Sequence, residues 1–339
     1  MDINVSYMRR ALALARMGMG ATSPNPVVGA VIVDDRSGLI VGEGWHRRCG
    51  QGHAEVNAVA SVRCREALSR STMYVTLEPC SHYGKTPPCA RLIIECGIPR
   101  VVVAAMDPFK EVAGRGIAML RDAGIEVVTG VLADESRRLN ARFMTAHERQ
   151  RPFVTLKWAQ SADGYLDCHR AGDMQPERFS TRLTSVLMHR LRSLHDAILV
   201  GSQTVIADNP RLDARLWPAA LSVPRPVVLD ARHRIDGSYN IMQRNPIVID
   251  TKVTVAELLA SLYSDHGITS LLVEGGACTL QQFIDTQLWD VARVETSPAA
   301  LAHRGAIKAP SLSARAPYSV EVIDGNAISL YSNNPLVGV

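Results

Sequence analysis

The chain has 339 residues, of which 47% are hydrophobic and 21% charged, and its formal net charge is +4. That length exceeds what one core ordinarily fills and predicts two domains, while the composition excludes disordered and fibrous classes. With so small a charge, no long Lys/Arg run and 5% aromatics, neither nucleic acid nor a membrane is expected as a partner.

Residues 4–18 predict a helix whose apolar positions are too interrupted for a signal-peptide core. No later stretch approaches about 18 unbroken apolar residues, so a cytoplasmic protein is expected. The seven cysteines, at 49, 64, 80, 89, 96, 168 and 278, form an odd, scattered set that suits reduced thiols and metal ligation better than a disulfide framework. After the first helix come a strand at VVGAVIVD, a helix from HAEVNAVASVR, a strand at MYVTLEP and a helix from CARLIIECG. A strand at VVVAAMD, the helix GRGIAMLRDAG and a short strand EVVTG complete an α/β layered half. DESRRLNARFMTAHERQR reads as a solvated connecting helix, and Pro152 restarts extended structure, which places a boundary near residue 150, between domains 1–148 and 149–339.

The second half opens with PFVTLKWAQSADGYL, followed by a helix over TSVLMHRLRSL, a strand DAILVGS and strands RPVVLD and PIVID. The strand-turn-helix unit SLLVEGGACTLQQFID then predicts a second α/β domain with a partly parallel sheet. SVEVID and AISLYS are candidate closing strands in a tail that carries little functional signal.

The strongest local signal is His53-Ala54-Glu55 opening a helix, with Pro79-Cys80 at a strand end and Cys89 at the next helix start. One imidazole and two thiolates suit Zn²⁺ and leave a fourth tetrahedral position for water, as a catalytic site requires. Glu55, two residues past the ligand, is free to shuttle protons during a hydrolytic deamination. Eight residues, SHYGKTPP, separate the two cysteines where deaminases commonly have two.

TSPNPVVGAVIV, GWHRRCGQGHAEVNA and TLEPCSHYGKTPPC together resemble the bacterial diaminohydroxyphosphoribosylaminopyrimidine deaminase family of riboflavin synthesis. The resemblance implies that Asn25, His46, His82, Lys85 and Thr86 line a pocket for a pyrimidine bearing a ribose phosphate. Asn offers donor and acceptor to a base edge, and Lys a point charge to phosphate.

LKWAQSADG, DAILVGSQTVIADNPRL and LLVEGGACTL are similar, in order, to the C-terminal reductase of the same bifunctional family, so the resemblance spans roughly residues 5–290. It implies a cytidine-deaminase-like three-layer α/β/α domain followed by a dihydrofolate-reductase-like α/β domain. The second would use NADPH to convert a ribosyl group to a ribityl chain. Gly275 and Gly276 at a strand-to-helix turn would let a cofactor phosphate approach a helix N-terminus, although the Gly-x-Gly-x-x-Gly fingerprint is absent. Carried over by resemblance, Ala159, Thr204, Asp208, Gly276, Ala277 and Leu280 would contact NADPH, and Lys157, Arg192, Leu212, Arg215 and Glu274 would face the substrate. Arg192 and Arg215 fit a phosphate clamp. Asp163 reads as a turn residue. A homo-oligomer is likewise implied by resemblance alone.

The chain departs from the family at 174–181, where MQPERFST replaces the usual Ser-x-Trp-Ile-Thr, and at Ala231, which replaces a Ser. That departure keeps open a second reading, a deaminase whose C-terminal half only binds substrate or mediates assembly. A third reading, a nucleic-acid or nucleoside deaminase, shares His-x-Glu and Pro-Cys but predicts a basic or aromatic strand-binding surface of which the sequence gives no sign.

Overall fold

Apolar residues at helical spacing make α1 (Ile3–Arg16) two-faced, so that Met8, Ala11, Leu12 and Ala15 are fully buried or nearly so. The computed structural model describes residues 3–83, 87–109, 113–168, 175–312 and 315–337; Lys85, Thr86 and Met174, and with them those expectations, lie outside the described residues. Backbone contacts divide the chain into Met1–Arg149 and Gln150–Val339.

In the first unit, β1 (Gly29–Asp34) and β2 (Leu39–Trp45) form a hairpin, followed by α2 (Ala54–Ser61), β3 (Ser71–Leu77) and α3 (Cys89–Glu95). The unit continues through β4 (Arg100–Ala105), α4 (Arg115–Asp122), β5 (Glu126–Thr129), α5 (Ala133–Leu139) and α6 (Ala141–Arg149). Among the described residues the strand order is β2-β1-β3-β4-β5, with β3, β4 and β5 parallel. Ala54, Ala58, Ile93 and Leu120 from α2, α3 and α4 pack on one face of this sheet, and Met8 and Leu12 from α1 pack on the other with Leu139 from α5 beside them. The result is the expected α/β/α sandwich.

Two local expectations change. β2 was not read from the sequence, because LIVGEGW mixes glycines with exposed apolar residues and shows no clean alternation. The 134–151 segment is not a solvated helix. It breaks at Asn140, whose buried amide accepts from Val27 N at 2.9 Å and donates to Val27 O at 3.0 Å. Ser136, Met144 and Ala146 are buried as well. Polar side chains make several of these contacts, which is why the apolar face looked short.

The second unit runs β6 (Phe153–Gln160), β7 (Tyr165–Cys168), α7 (Arg182–Ser193), β8 (Ala197–Gly201), α8 (Ser202–Asp208), β9 (Arg225–Leu229) and β10 (Ile247–Ile249). It continues with α9 (Val255–Ser264), β11 (Ser270–Val273), α10 (Ala277–Asp285), β12 (Val291–Thr296), β13 (Gly305–Lys308), β14 (Ser319–Ile323) and β15 (Asn326–Ser332). The large sheet has the order β10-β9-β8-β11-β6-β12-β15-β14 among the described residues; β7 and β13 pair separately. Its strands are parallel from β10 to β12, and the tail hairpin of β14 and β15 adds on antiparallel. Leu156, Leu199, Val273, Leu280 and Phe283 pack on the face that α9 and α10 cover. Ile198, Val200, Leu272, Met188 and Val205 pack on the opposite face, towards α7 and α8.

This topology locates a crevice. From β8 the chain moves outward to β9, whereas from β11 it crosses back to β12, so the path diverges between two adjacent parallel strands. The carboxyl ends of strands at such a divergence are where open α/β sheets bind ligands.

Candidate active sites

In the first unit three elements converge at the carboxyl end of β3. His53 is the N-cap of α2, Cys89 is the first residue of α3, and Cys80 lies three residues beyond β3. The His53 Nδ1 atom is 3.6 Å from Cys80 Sγ and 3.3 Å from Cys89 Sγ, and the three ligand atoms all lie within 4.8 Å of one another. One borderline nitrogen and two soft sulfurs at that spacing fit a tetrahedral Zn²⁺ with one position left open. The electrostatics agree. Hydrogen bonding from Cys89, together with His53, pulls the Cys80 thiol down to about 4, while the bond to Cys80 and burial push Cys89 up. Two adjacent thiolates repel, so a cation between them is what lets both ionise.

Glu55 sits in the first turn of α2, 3% exposed, beside the triad and outside its ligand set. Burial, reinforced by the Cys80 charge, pushes its carboxyl up to about 7. His46 packs edge-on against His53 with ring centroids 5.3 Å apart. The backbone O of Gly52 lies 3.2 Å from His46 Nδ1, and the Asn25 amide donates to His46 Nε2 at 3.3 Å, which assigns the proton to Nδ1. Burial depresses the His46 pKa and keeps the ring neutral. The structure thus brings Asn25 and His46 to the triad. His82 is exposed, with Asp107 as its charged neighbour.

The sequence reading passed over Glu78. Its carboxylate is buried and accepts the backbone N–H groups of Asp107, Gly114, Gly116 and Ile117 at 3.3, 3.0, 3.0 and 3.4 Å. It thereby ties the start of α4 to the chain two residues before Cys80. A Cβ on Gly116 would lie 2.0 Å from the Pro79 carbonyl oxygen, so only glycine allows that approach. An acidic residue between an apolar strand and Pro-Cys was the available signal.

In the second unit β11 ends in Glu274, and the Gly275-Gly276 turn leads into α10 with Gly276 as N-cap. Thr204, in α8 at the end of β8, places its Oγ1 3.8 Å from where a Gly276 Cβ would stand. Two helix starts thus flank a side-chain-free turn at the topological divergence, which fits a nucleotide phosphate. Ala277 begins α10 and Asp208 is an exposed residue at the end of α8. The Leu280 side chain lies in the apolar core, which leaves only its backbone available to a ligand, and the Leu212 side chain is likewise buried. Ala159 packs against a small cluster of Cys168, Phe179 and Leu301.

Arg192 and Glu274 form a largely shielded two-pronged ion pair, Nε to Oε1 at 2.9 Å and Nη2 to Oε2 at 2.7 Å, and Arg192 Nη1 donates to the Asp213 carbonyl at 3.1 Å. Arg192 is therefore fully engaged within the protein, whereas Arg215, paired with Asp213 at 2.6 Å, keeps about half its side chain in solvent. Burial raises the Glu274 carboxyl, but Arg192 and then Lys157 outweigh it and hold the group at about 2. Burial lowers the Lys157 pKa, opposed by Glu274 and Glu295.

A zinc-type pyrimidine deaminase unit joined to a parallel-sheet α/β unit with a nucleotide-type crevice defines a deaminase–reductase class. The family model for the cytidine and deoxycytidylate deaminase zinc-binding region matches residues 1–105, and that for the RibD C-terminal domain matches residues 152–316. The chain is 40% identical to the riboflavin biosynthesis protein RibD of Actinobacillus pleuropneumoniae over 303 residues, covering 81% of this chain and 78% of the relative. It is 37% identical to that of Aquifex aeolicus over 320 residues, covering 88% and 87%. Among solved structures, Acinetobacter baumannii RibD superposes with a TM-score of 0.89 at 30% identity, covering 97% of this chain and 98% of that one. A Thermotoga maritima diaminohydroxyphosphoribosylaminopyrimidine deaminase/5-amino-6-(5-phosphoribosylamino)uracil reductase gives 0.84 at 34%, with the same coverage. The chain belongs to the RibD family of bifunctional riboflavin-biosynthesis enzymes. The reading of a deaminase with a non-reducing partner domain is not favoured, because the reductase-type domain is matched along 152–316.

Proposed function

We propose that the first unit hydrolytically deaminates 2,5-diamino-6-(5-phosphoribosylamino)pyrimidin-4(3H)-one and that the second reduces the ribosyl group of the product, 5-amino-6-(5-phosphoribosylamino)uracil, to a ribityl chain. The observation that carries this reading is the His53/Cys80/Cys89 triad with buried, non-ligating Glu55 beside it. His53, Cys80 and Cys89 would hold Zn²⁺, whose Lewis acidity supplies the activation of water. Glu55 takes one proton from the attacking water and passes it to the ring nitrogen, then takes the second from the hydroxyl so added and passes it to the exocyclic amino group, which leaves as ammonia while the carbonyl forms. Asn25, its amide nitrogen fixed on neutral His46, keeps its amide oxygen for the base edge. His82, Lys85 and Thr86 are the further residues that the family resemblance would assign to the pyrimidine and its ribose phosphate.

In the second unit NADPH, when bound, would supply the hydride for reduction at C1′ of the open-chain sugar imine. Thr204, Gly276 and the first turn of α10 would seat its phosphates, with Ala159, Asp208, Ala277 and the Leu280 backbone along its length. Lys157 and Glu274 would face the sugar, Lys157, whose pKa burial lowers, supplying the proton that accompanies hydride transfer and the Glu274 carboxylate balancing its charge. Arg215, the half-exposed cation, is the better of the two expected clamp arginines for the substrate phosphate. The partners are these small molecules and a second copy of the chain, and the setting is the cytoplasm, in keeping with seven unpaired cysteines. No helix among the described residues is long and apolar enough to cross a membrane.

Glu55→Gln tests the central assignment. The zinc-loaded variant should keep its metal, lose about 10²- to 10⁴-fold in ammonia release, and still oxidise NADPH when given the deaminated uracil. Undiminished ammonia release would remove Glu55 from the mechanism.

A further inference from the structure

The face of the second sheet towards α7 carries charge where the opposite face is apolar. Leu156, Trp158, Ala292 and Val294 point into the core beneath α9 and α10. Strand alternation therefore turns Lys157, Arg293 and Glu295 the other way, with Arg293 opposite Lys157 and Glu295 opposite Ala159 in the ladder. Glu295 is fully buried and fully engaged: its carboxylate accepts from Asn326 Nδ2 at 2.7 Å and from Ser180 Oγ at 3.0 Å. Asn326 also donates to the Phe179 carbonyl at 2.8 Å, so Glu295 anchors part of the 174–181 stretch that departs from the family sequence.

Arg293 is left over. It is 9% exposed, and its Nη1 is buried without a hydrogen-bond partner, 3.6 Å from Glu295 Oε2. Glu295 cannot close that gap without loosening Ser180 and Asn326. Charge couples Arg293 to Glu274 and Lys157, which places it in the same cluster as two residues assigned to the reductase substrate. A buried donor held only by a long ion pair to Glu295, outside hydrogen-bonding distance, is incompletely satisfied and invites a ligand atom.

Glu295 opposes the charge of Arg293, so the site suits a neutral oxygen acceptor better than a phosphate. The first reaction creates such an atom, since deamination replaces an exocyclic amino group, a hydrogen-bond donor, with a ring carbonyl, an acceptor. We propose that Arg293 is a specificity-determining residue of the reductase site, donating from Nη1 to the carbonyl that deamination installs, with Glu295 as its positioning residue. Two donors facing each other leave both unpaired, so the un-deaminated pyrimidine is rejected and the order of the two reactions is enforced.

This inference rests on the proposed reductase activity, and the test separates the two. The full-length, zinc-loaded Glu55→Gln protein is the parent, because its deamination is slowed about 10²- to 10⁴-fold and initial rates are read before one pyrimidine is converted into the other. NADPH oxidation is measured with 5-amino-6-(5-phosphoribosylamino)uracil and with its 2,5-diamino precursor. The parent should prefer the uracil, and Arg293→Gln, whose amide can donate to a carbonyl or accept from an amine, should lower the ratio of kcat/KM values about 10- to 100-fold through a raised KM for the uracil. The NADPH Kd, read by fluorescence titration, should not change. Arg293→Lys keeps the charge beside Glu295 and so the fold, but it lacks the guanidinium fork; it should lower the ratio at least about threefold. An unchanged ratio in a folded variant that binds NADPH normally overturns the inference. A parent that oxidises no NADPH with either pyrimidine overturns the reductase reading, and this inference with it.

Discussion

Replacing Glu274 with Gln removes one charge from the Arg192–Glu274 pair while keeping its shape. The carboxyl is held at about 2 against an ordinary value of 4.5, a difference worth about 3 kcal/mol at neutral pH. Side-chain exposures of 14% and 10% for the two partners leave little room for solvent screening to reduce that figure. Because the folded value is depressed, the folded state binds the proton less readily than the unfolded chain. The stabilisation is therefore present above about pH 4.5 and lost as pH falls through the folded value near 2. Tryptophan fluorescence follows the transition, since Trp158, Trp217 and Trp289 all lie in the second unit. At pH 7 Glu274→Gln should unfold at lower urea by about 3 kcal/mol, or roughly 6–12 °C lower on heating. The gap to the wild-type protein should narrow steadily below pH 4.5. A variant as stable as the parent at pH 7, or a gap that ignores pH, would refute the reasoning.

Cys89→Ala should reduce bound zinc well below one equivalent and lower the melting temperature, since ligation is coupled to folding. Treating the wild-type protein with a strong chelator should lower its melting point in the same direction, and a fully zinc-loaded Cys89→Ala protein would contradict ligation there. Gly116→Ala introduces a Cβ 2.0 Å from the Pro79 carbonyl, and backbone must move to admit it. Zinc affinity, measured by chelator competition, should fall about 10- to 100-fold as Cys80 is displaced, with roughly 1–3 kcal/mol of lost stability; unaltered affinity would show that the α4 contact does not position the ligand.

The zinc site was legible because His53, Glu55, Cys80 and Cys89 sit where a strand end and two helix starts must converge, and local pattern alone places them. The reductase half was legible mainly by resemblance. Its chemistry lies on strands β6, β11 and β12, which are distant in sequence. Alternation in VARVET shows that Arg293 and Glu295 share a face, but not that α7 and the 179–180 segment cover it. The Arg192–Glu274 pair spans 82 residues of sequence, so the fork of Arg192 read as available to phosphate when it is engaged within the protein. Leu212 and Leu280 were named as ligand contacts, yet their side chains pack in the core. Asn140 hid the packing of α5 and α6 because a buried polar bridge to Val27 looks, in sequence, like a solvated break.

The most direct test supplies the zinc-loaded, full-length protein with the 2,5-diamino pyrimidine ribosylamine phosphate and NADPH, and follows ammonia and NADPH absorbance together. One ammonia released before each NADPH consumed, with NADPH untouched until deamination begins, is the predicted result. Ammonia without NADPH loss, or no ammonia at all, would contradict a single chain that performs both reactions in sequence.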